Sequence, residues 1–290
     1  MRVGYYPGCS LSGTGRDFGE SMEAVAKALD IELLEIPEWT CCGSSSGHMT
    51  DRLVSVALPV NVLLKAKKAG FEQVMAPCAA CYNRLATAKH EVESSAQTKA
   101  QAEKLLQAKI EKLPEVLNVV QLLAQVSDTI AAKVTKKFDE TVACYYGCLL
   151  VRPAKITGFD RTEDPMEMDK LVAAIGGKAV DWSFKTECCG ASFSLSKTSV
   201  VGRLGAKIMQ DAVAHKADAV VVACPMCHSN LDLRRADINQ RLEQKTNIPV
   251  LYITQVIGLA LGIPGKKLGL GRHFVPVKFP VKAIATQVVQ

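Results

Sequence analysis

The chain has no long uninterrupted apolar run. Its longest apolar stretch, around residues 250–263, is interrupted by Thr254 and Gln255 and is too short to span a bilayer. The first residues also lack the charged-then-apolar pattern of a secretory signal sequence. These two absences argue against a transmembrane segment and predict a soluble, cytoplasmic protein.

The chain also lacks any block of like charge. Its formal net charge is a mild +6, and its positive residues are scattered without the interleaved aromatic residues that nucleic-acid surfaces use. Nucleic-acid binding is therefore not expected, and an acidic protein partner or an anionic substrate fits the balance better. With 48% hydrophobic and 22% charged residues, the composition also excludes a disordered chain.

Cysteine, by contrast, is abundant, with eleven in 290 residues. In a reducing compartment this number indicates metal or redox chemistry, since structural disulfides are rare there. Ten of the eleven form one five-cysteine pattern that occurs twice. Each copy has a single cysteine, then Cys-Cys-Gly, then Cys-x-x-Cys; the copies are Cys9, Cys41, Cys42, Cys78 and Cys81, and Cys148, Cys188, Cys189, Cys224 and Cys227. The repeat predicts two equivalent metal sites.

Both halves alternate short apolar strands with amphipathic helices, which predicts an α/β fold of two pseudo-equivalent lobes. We expect the first lobe, with a helical connector at about residues 87–137, to span residues 1–138, and the second to span residues 139–290. The cysteines follow the predicted strands directly. Open α/β sheets bind ligands at the carboxyl ends of their strands, so we expect the metal groups there, near the lobe interface.

Five thiols per site are more than a single zinc ion needs, because zinc is satisfied by four ligands. Adjacent cysteines cannot easily bind one small tetrahedral ion, but they can reach two different irons of a larger cluster. The Cys-x-x-Cys motif at a helix start favours the ionised, ligating thiolates. These features favour iron–sulfur clusters, and they leave structural zinc sites or metal-free reactive thiols as alternatives.

The tandem pattern resembles the cysteine-rich CCG domain family, and in particular the B subunits of heterodisulfide reductases. The resemblance covers nearly the whole chain. It is carried by all ten cysteines, residues 5–11 (YYPGCSL), residues 223–228 (ACPMCH) and residues 249–255 (PVLYITQ). It implies two noncubane [4Fe-4S] clusters, held by the two five-cysteine sets. Flavin and nicotinamide are expected in partner subunits.

The resemblance further implies a catalytic subunit that reduces or forms a disulfide, such as that of coenzyme M and coenzyme B. Breaking a disulfide takes two electrons, and two one-electron clusters that face one pocket can each give one. The implied partners are a ferredoxin-like iron–sulfur C subunit and a flavin-bearing A subunit. The alternative is a non-catalytic subunit that passes electrons to another subunit or to a quinone.

Three further residues lie close to the cysteine motifs in the sequence. His228 directly follows Cys227 and is a candidate proton donor to a product thiolate, although a histidine beside a ligand is more often a supporting group. His48 near the first Cys-Cys-Gly is a weaker candidate of the same kind. Cys144 has no counterpart in the first half, so we expect it to be a small buried hydrophobic residue.

Two lysines and a glycine run complete the candidates. Lys185 and Lys197 flank the second Cys-Cys-Gly and are placed to meet an anionic substrate, but solvated surface lysine is the default expectation. The glycines Gly13, Gly15 and Gly19 faintly resemble a dinucleotide fingerprint, with a spacing one residue too long. They are interpreted as turn glycines beside a metal site.

Overall fold

The computed structural model describes residues 1–44 and 47–278, together with the backbone of residues 282–283. Two parallel four-stranded sheets form its framework, one in each half of the chain, and helices cover them. Both sheets have the same strand connectivity. The expected α/β class with two pseudo-equivalent lobes is confirmed.

The first lobe contains a parallel sheet in the order β2-β1-β3-β4. Its strands are β1 (Arg2–Tyr5), β2 (Glu32–Glu35), β3 (Gln73–Met75) and β4 (Glu115–Leu117). Its helices are α1 (Gly8–Leu11), α2 (Arg16–Ala28), α3 (Gly47–Thr50), α4 (Arg52–Lys68), α5 (Ala79–Ser94), α6 (Ala96–Leu106), α7 (Val119–Ala124) and α8 (Ser127–Ala132).

The second lobe repeats this sheet in the order β7-β6-β8-β9. After β5 (Lys136–Lys137), its strands are β6 (Thr141–Tyr145), β7 (Lys178–Ala179), β8 (Ala219–Val222) and β9 (Val250–Tyr252). Its helices are α9 (Ala154–Thr157), α10 (Glu167–Ala174), α11 (Thr198–Ala214), α12 (Pro225–Leu231), α13 (Arg235–Asn239) and α14 (Ile253–Ala260). Short 3₁₀ turns cover Ala191–Phe193, Gly265–Leu268 and Leu270–Arg272, and β10 (Lys282–Ala283) pairs antiparallel with β5.

Local sequence accounts for most of these elements. Asp51 caps α4 by accepting a hydrogen bond from the Val54 amide at 2.9 Å, and Gly70 follows the helix in the left-handed conformation. All four residues of β8 are buried, as expected for an inner strand that is covered on both faces.

The expected helical connector is wrong in one respect. Residues 115–117 within it form β4, which pairs in parallel with β3 and completes the first sheet. The strand has only three residues, so neither its length nor its periodicity distinguishes it from the helical sequence around it. Residues 115–117 therefore belong to the first sheet, whereas α7 and α8, which follow them, pack against α10 of the second lobe.

The two lobes share a continuous interior. Phe18 on α2 stacks on Tyr252 at the end of β9, with ring centroids 4.2 Å apart and an interplanar angle of 3°. Beside this stack, the Ser21 and Thr254 hydroxyls lie 2.6 Å apart and are buried. These contacts fix the two sheets relative to each other, and with them the cysteines at the sheet edges.

Candidate metal centre

The five cysteines of the first copy converge at the carboxyl edge of the first sheet. Cys9 lies on α1 after β1, the Cys41–Cys42 pair follows β2, and Cys78 precedes α5, which contains Cys81. The Sγ atoms of Cys42 and Cys81 are 3.3 Å apart. Cys78 hydrogen-bonds with Cys81, and Cys9 interacts electrostatically with Cys41, Cys42 and Cys78. The fold therefore brings together the whole predicted set.

The second copy repeats this arrangement. Cys148 follows β6, the Cys188–Cys189 pair follows β7, and Cys224 immediately precedes α12, which contains Cys227. The Sγ atoms of Cys189 and Cys227 lie 3.6 Å apart. Cys148 hydrogen-bonds with Cys188, and Cys224 with Cys227. Both predicted sets therefore form, one in each lobe.

Each set has a buried side and an open side. Cys9, Cys41 and Cys188 are exposed and Cys148 is half-buried, whereas the other six are buried. The exposed residues occupy matching places in the two copies, namely the single cysteine and the first member of the adjacent pair. A group bound by these thiols would be shielded by the lobe on one side and accessible from the other.

Matching glycines make room for the sulfur atoms. Gly8 and Gly147 have φ values of +63° and +70°, and a Cβ at these positions would lie 3.0 Å from the Cys81 sulfur and 3.1 Å from the Cys227 sulfur. No L side chain adopts that backbone easily, and here a side chain would also collide with a ligand sulfur. The close approach of backbone and sulfur therefore requires glycine in both lobes.

Two tyrosines hold the Cys-Cys turns, and sequence reasoning missed both. The Tyr6 hydroxyl donates to the Thr40 carbonyl at 2.8 Å, and the Tyr145 hydroxyl donates to the Glu187 carbonyl at 2.6 Å. Each carbonyl belongs to the residue just before the adjacent cysteines. The signal was present, because each tyrosine lies three positions before the single cysteine of its copy.

The thiols interact strongly enough to change their acidity. Hydrogen bonding with Cys81 lowers the pKa of the Cys42 thiol to about 7. Hydrogen bonding with Cys148 lowers the pKa of the Cys188 thiol to about 6. One member of each adjacent pair is therefore substantially ionised near neutral pH, and the thiolate is the form that binds metal.

The two centres meet at the lobe interface. Hydrogen bonding with Cys224 of the second lobe, ahead of its bond with Cys81, lowers the pKa of the Cys78 thiol of the first lobe. Nearby, a Cβ on Gly15 would lie 2.8 Å from the Cβ of Pro225, so Gly15 lets the two lobes approach. The close packing against Pro225 explains why residue 15 is a glycine. Pro225 lies between Cys224 and Cys227, so this packing brings the first lobe against the second thiol set.

An all-sulfur donor set suits the group that the sequence implies. Ten converging thiols, four of them with lowered pKa values, are the kind of ligand that iron–sulfur clusters use. The glycine cradles keep side chains away from the sulfur atoms, where a bound cluster would need space. The residues present therefore fit an iron–sulfur group in each lobe.

His228 lies beneath the second centre in a buried polar group. Its Nε2 is 3.1 Å from the Val250 carbonyl, and its ring stacks on Tyr252 with centroids 4.3 Å apart. Its ring also meets His273 edge-on. Burial lowers the pKa of His228 well below its usual range, so the imidazole is neutral. Its role as a proton donor stays a prediction.

Two other candidates lie at the margins. His48 is exposed, and its Nδ1 is 3.4 Å from the Gly43 carbonyl. Cys144 is fully buried on β6, and burial raises its pKa well above the usual range, so it is a neutral core thiol.

The expectation of a solvated surface lysine is wrong for Lys185. Its side chain is 3% exposed, and its Nζ lies 2.8 Å from Asp164 and 3.0 Å from Asp169. The Lys185 carbonyl also accepts from the Tyr146 and Gly147 amides, which fixes the turn before Cys148. Lys185 therefore has a structural role inside the second lobe, and its ion pairs with the two carboxylates compensate for its burial. Lys197 is exposed, as expected.

The protein has two α/β lobes, each with a parallel sheet and five thiols at the carboxyl edge of that sheet. This arrangement defines a tandem cysteine-rich protein of the iron–sulfur, electron-transfer class. The chain belongs to the CCG cysteine-rich domain family, whose model matches residues 3–86 and 142–232. The resemblance inferred from the cysteine pattern is confirmed.

Two relatives resemble the chain over almost its whole length. The 8-methylmenaquinol:fumarate reductase membrane anchor subunit of Wolinella succinogenes is 32% identical to this chain. The alignment covers 93% of this chain and 96% of the relative. The B subunit of the ferredoxin/F(420)H(2)-dependent CoB-CoM heterodisulfide reductase of Methanosarcina acetivorans is 26% identical, with 94% of each chain covered. Among the described residues, no helix combines the length and the apolar character needed to cross a membrane.

A solved structure has the same fold. A hypothetical protein from Helicobacter pylori superposes with a TM-score of 0.76 at 13% identity, over 96% of this chain. The chain spans about half of that protein, 52% of its length. The likeness supports the arrangement of the two lobes.

Proposed function

We propose that this chain is the cluster-bearing subunit of a heterodisulfide-reductase-like complex. Cys9, Cys41, Cys42, Cys78 and Cys81 would hold one noncubane [4Fe-4S] cluster. Cys148, Cys188, Cys189, Cys224 and Cys227 would hold the second. The clusters would supply electrons to a small-molecule disulfide, which takes up two electrons and two protons to give two thiols.

The observation that carries this proposal is the packing of α1, which contains Cys9, against α12, which contains Cys227, with a Cβ on Gly15 only 2.8 Å from Pro225. Across the same interface, hydrogen bonding with Cys224 lowers the pKa of the Cys78 thiol. A two-electron reaction needs two one-electron donors close to one reactant. The exposed thiols Cys9, Cys41 and Cys188 leave a side of each centre accessible to that reactant. The buried cysteines and the tyrosine-held turns keep each thiol set in place around its centre.

The proposed partners supply the chemistry that this chain's own residues do not. Gly15, in the run that faintly resembles a dinucleotide fingerprint, faces Pro225 at the lobe contact, which favours a packing role for it. Flavin chemistry would therefore be supplied by an A subunit, and electrons would enter through a ferredoxin-like C subunit. Cytoplasmic location remains part of this proposal.

A second function is favoured by the relative from Wolinella succinogenes, which is named as a subunit of a quinol:fumarate reductase. In that case the chain would carry electrons between a quinol and another subunit, and no disulfide would react at it. The same open side would then face the quinol site or the partner. This alternative uses the same cysteines, so only the identity of the reactant separates the two.

The experiment begins with iron and sulfide analysis of the anaerobically assembled complex, where two four-iron clusters require about eight irons per chain. The complex is then assayed with the disulfide of coenzyme M and coenzyme B, and with a menaquinol analogue. Turnover of the disulfide alone supports the first function, and turnover of the quinol alone supports the second. Stoichiometric zinc without iron would refute both.

Cysteine variants test whether the two centres work together. Cys81→Ala and Cys227→Ala should each abolish turnover, because a single one-electron centre cannot complete a two-electron reaction. Cys144→Ala is the matched control, since this buried thiol lies outside both sets and should leave iron and turnover unchanged. Retention of about half the activity in either ligand variant would mean that the sites act independently.

A further inference from the structure

A buried asparagine side chain hydrogen-bonds with the second thiol set. Asn230 on α12 is fully buried, and its Nδ2 lies 3.1 Å from the Cys189 carbonyl and 3.6 Å from the Cys189 sulfur. Both neighbours are acceptors, so the amide must present its NH₂ group to them. One side-chain N–H therefore points at a ligand sulfur in a buried environment.

The other end of the same amide has no partner. The Asn230 Oδ1 is buried and makes no hydrogen bond within the described residues. An unpaired buried acceptor is destabilising, and such a group in a native protein calls for an explanation in terms of function. The unpaired oxygen of Asn230 therefore destabilises this lobe. Both hydrogen bonds that the Asn230 side chain makes are to Cys189.

Each thiol of the adjacent pairs has a backbone donor at the matching place in the two lobes. The Gly43 amide lies 3.3 Å from the Cys41 sulfur, and the Gly190 amide lies 3.3 Å from the Cys188 sulfur. Backbone hydrogen bonds also reach the second member of each pair, from Ser44 to Cys42 and from Ala191 to Cys189. These donors therefore do not distinguish the two centres.

The side-chain donors are not the same. In the first lobe, the position equivalent to Asn230, three residues after the last cysteine, is Arg84. The neighbouring amide of Asn83 gives its hydrogens to the Leu149 and Arg152 carbonyls, 3.0 and 2.8 Å away. The Ser10 hydroxyl lies 4.0 Å from the Cys78 sulfur and hydrogen-bonds with the Cys9 thiol. The Tyr6 hydroxyl hydrogen-bonds with the Cys42 thiol and also with the Thr40 carbonyl.

We infer that Asn230 raises the reduction potential of the second-lobe centre above the value that this centre would have without the amide. This inference rests on the proposed function, since it requires an iron–sulfur cluster in each lobe. A reduced cluster carries one more negative charge, and an N–H donor to its sulfur ligand stabilises that charge. The effect is strong because the donor and the sulfur are both buried.

The test is potentiometry of the assembled protein, followed by electron paramagnetic resonance, with Asn230→Leu against wild type. Leucine has a similar shape and no donor, so the second centre should become about tenfold harder to reduce, which is about 59 mV for one electron. The first centre should not change. Asn83→Leu is the matched control. Asn83 is a buried residue on α5, the other Cys-x-x-Cys helix, and its side-chain amide donates to backbone carbonyls and to no sulfur. This variant should leave both potentials unchanged.

An unchanged second potential in Asn230→Leu would overturn the inference, as would an equal shift in Asn83→Leu. If Asn230→Leu loses the second cluster, the contact is tested in the wild-type protein by nitrogen hyperfine spectroscopy. Replacing asparagine nitrogen with its heavier isotope should alter the nitrogen coupling to the reduced second centre, and absence of any change would refute the contact. Wild-type protein lacking iron in the second lobe would instead refute the proposed function.

Discussion

The α-carbon of Gly147 faces the sulfur of Cys227, and a Cβ there would lie only 3.1 Å from it. The Gly147→Ala variant should therefore lose much of the iron of the second lobe. Its φ of +70° adds a backbone cost of about 1–2 kcal/mol for an L residue. Iron content and the free energy of unfolding, measured anaerobically, check both effects.

Gly158 provides the control for this prediction. It has nearly the same φ, +69°, but no atom within 4 Å of the position of its Cβ. Gly158→Ala should carry the backbone cost and keep its iron. Equal iron in the two variants would mean that the close approach of backbone and sulfur does not matter for assembly.

Removal of the hydroxyl of Tyr6 or Tyr145 should loosen one Cys-Cys turn. Each Tyr→Phe change leaves the carbonyl of Thr40 or Glu187 without its donor, at a cost of about 1–3 kcal/mol. We expect iron to leave the affected lobe faster when a chelator is added. Tyr82→Phe loses a hydroxyl bonded to the Thr157 carbonyl, away from both turns. Equal release rates in all three variants would contradict the proposed role of the tyrosines.

Replacement of Lys185 by methionine should destabilise the second lobe by about 3–5 kcal/mol, because Asp169 would remain as a buried charge without its cation. Lys197→Met changes an exposed lysine on the same flank and should alter the free energy of unfolding by no more than about 0.5 kcal/mol. Denaturant titration of both variants checks the contrast. If Lys185→Met is as stable as Lys197→Met, the internal ion pair contributes nothing to folding.

Asp17 should make stability fall as the pH rises. Burial raises its pKa to about 6, above the usual value of about 3.9 in an unfolded chain, so the folded protein binds the proton more tightly. Its stabilisation is fully present below about pH 4 and is lost by about pH 6, and it amounts to at most about 3 kcal/mol. Asp17→Asn should remove this pH dependence. The stability of the variant relative to that of wild type should therefore rise between about pH 4 and about pH 6. Parallel stability curves for the two proteins across that range would show that Asp17 does not titrate on folding.

Much of the site was predictable from sequence because its ligands carry a distinctive chemistry at regular spacing. The two five-cysteine copies each follow predicted strands, and the residues at the ends of neighbouring parallel strands must share one sheet edge. The alternation of strands and helices likewise predicted both lobes. The positions of Gly43 and Gly190, with φ values of +74° and +78°, follow from the Cys-Cys-Gly turns themselves.

The fold itself decided what local pattern does not encode. The three residues of β4 became a strand only because the edge of β3 was available for pairing. Lys185 became internal because Asp164 and Asp169 converge on it from a distant segment. The sequence by itself predicted which cysteines would bind metal and that they form two sets. Only the tertiary structure decided that Cys78 and Cys224 meet and that Asn230 reaches Cys189, because these contacts depend on how two separately encoded lobes pack.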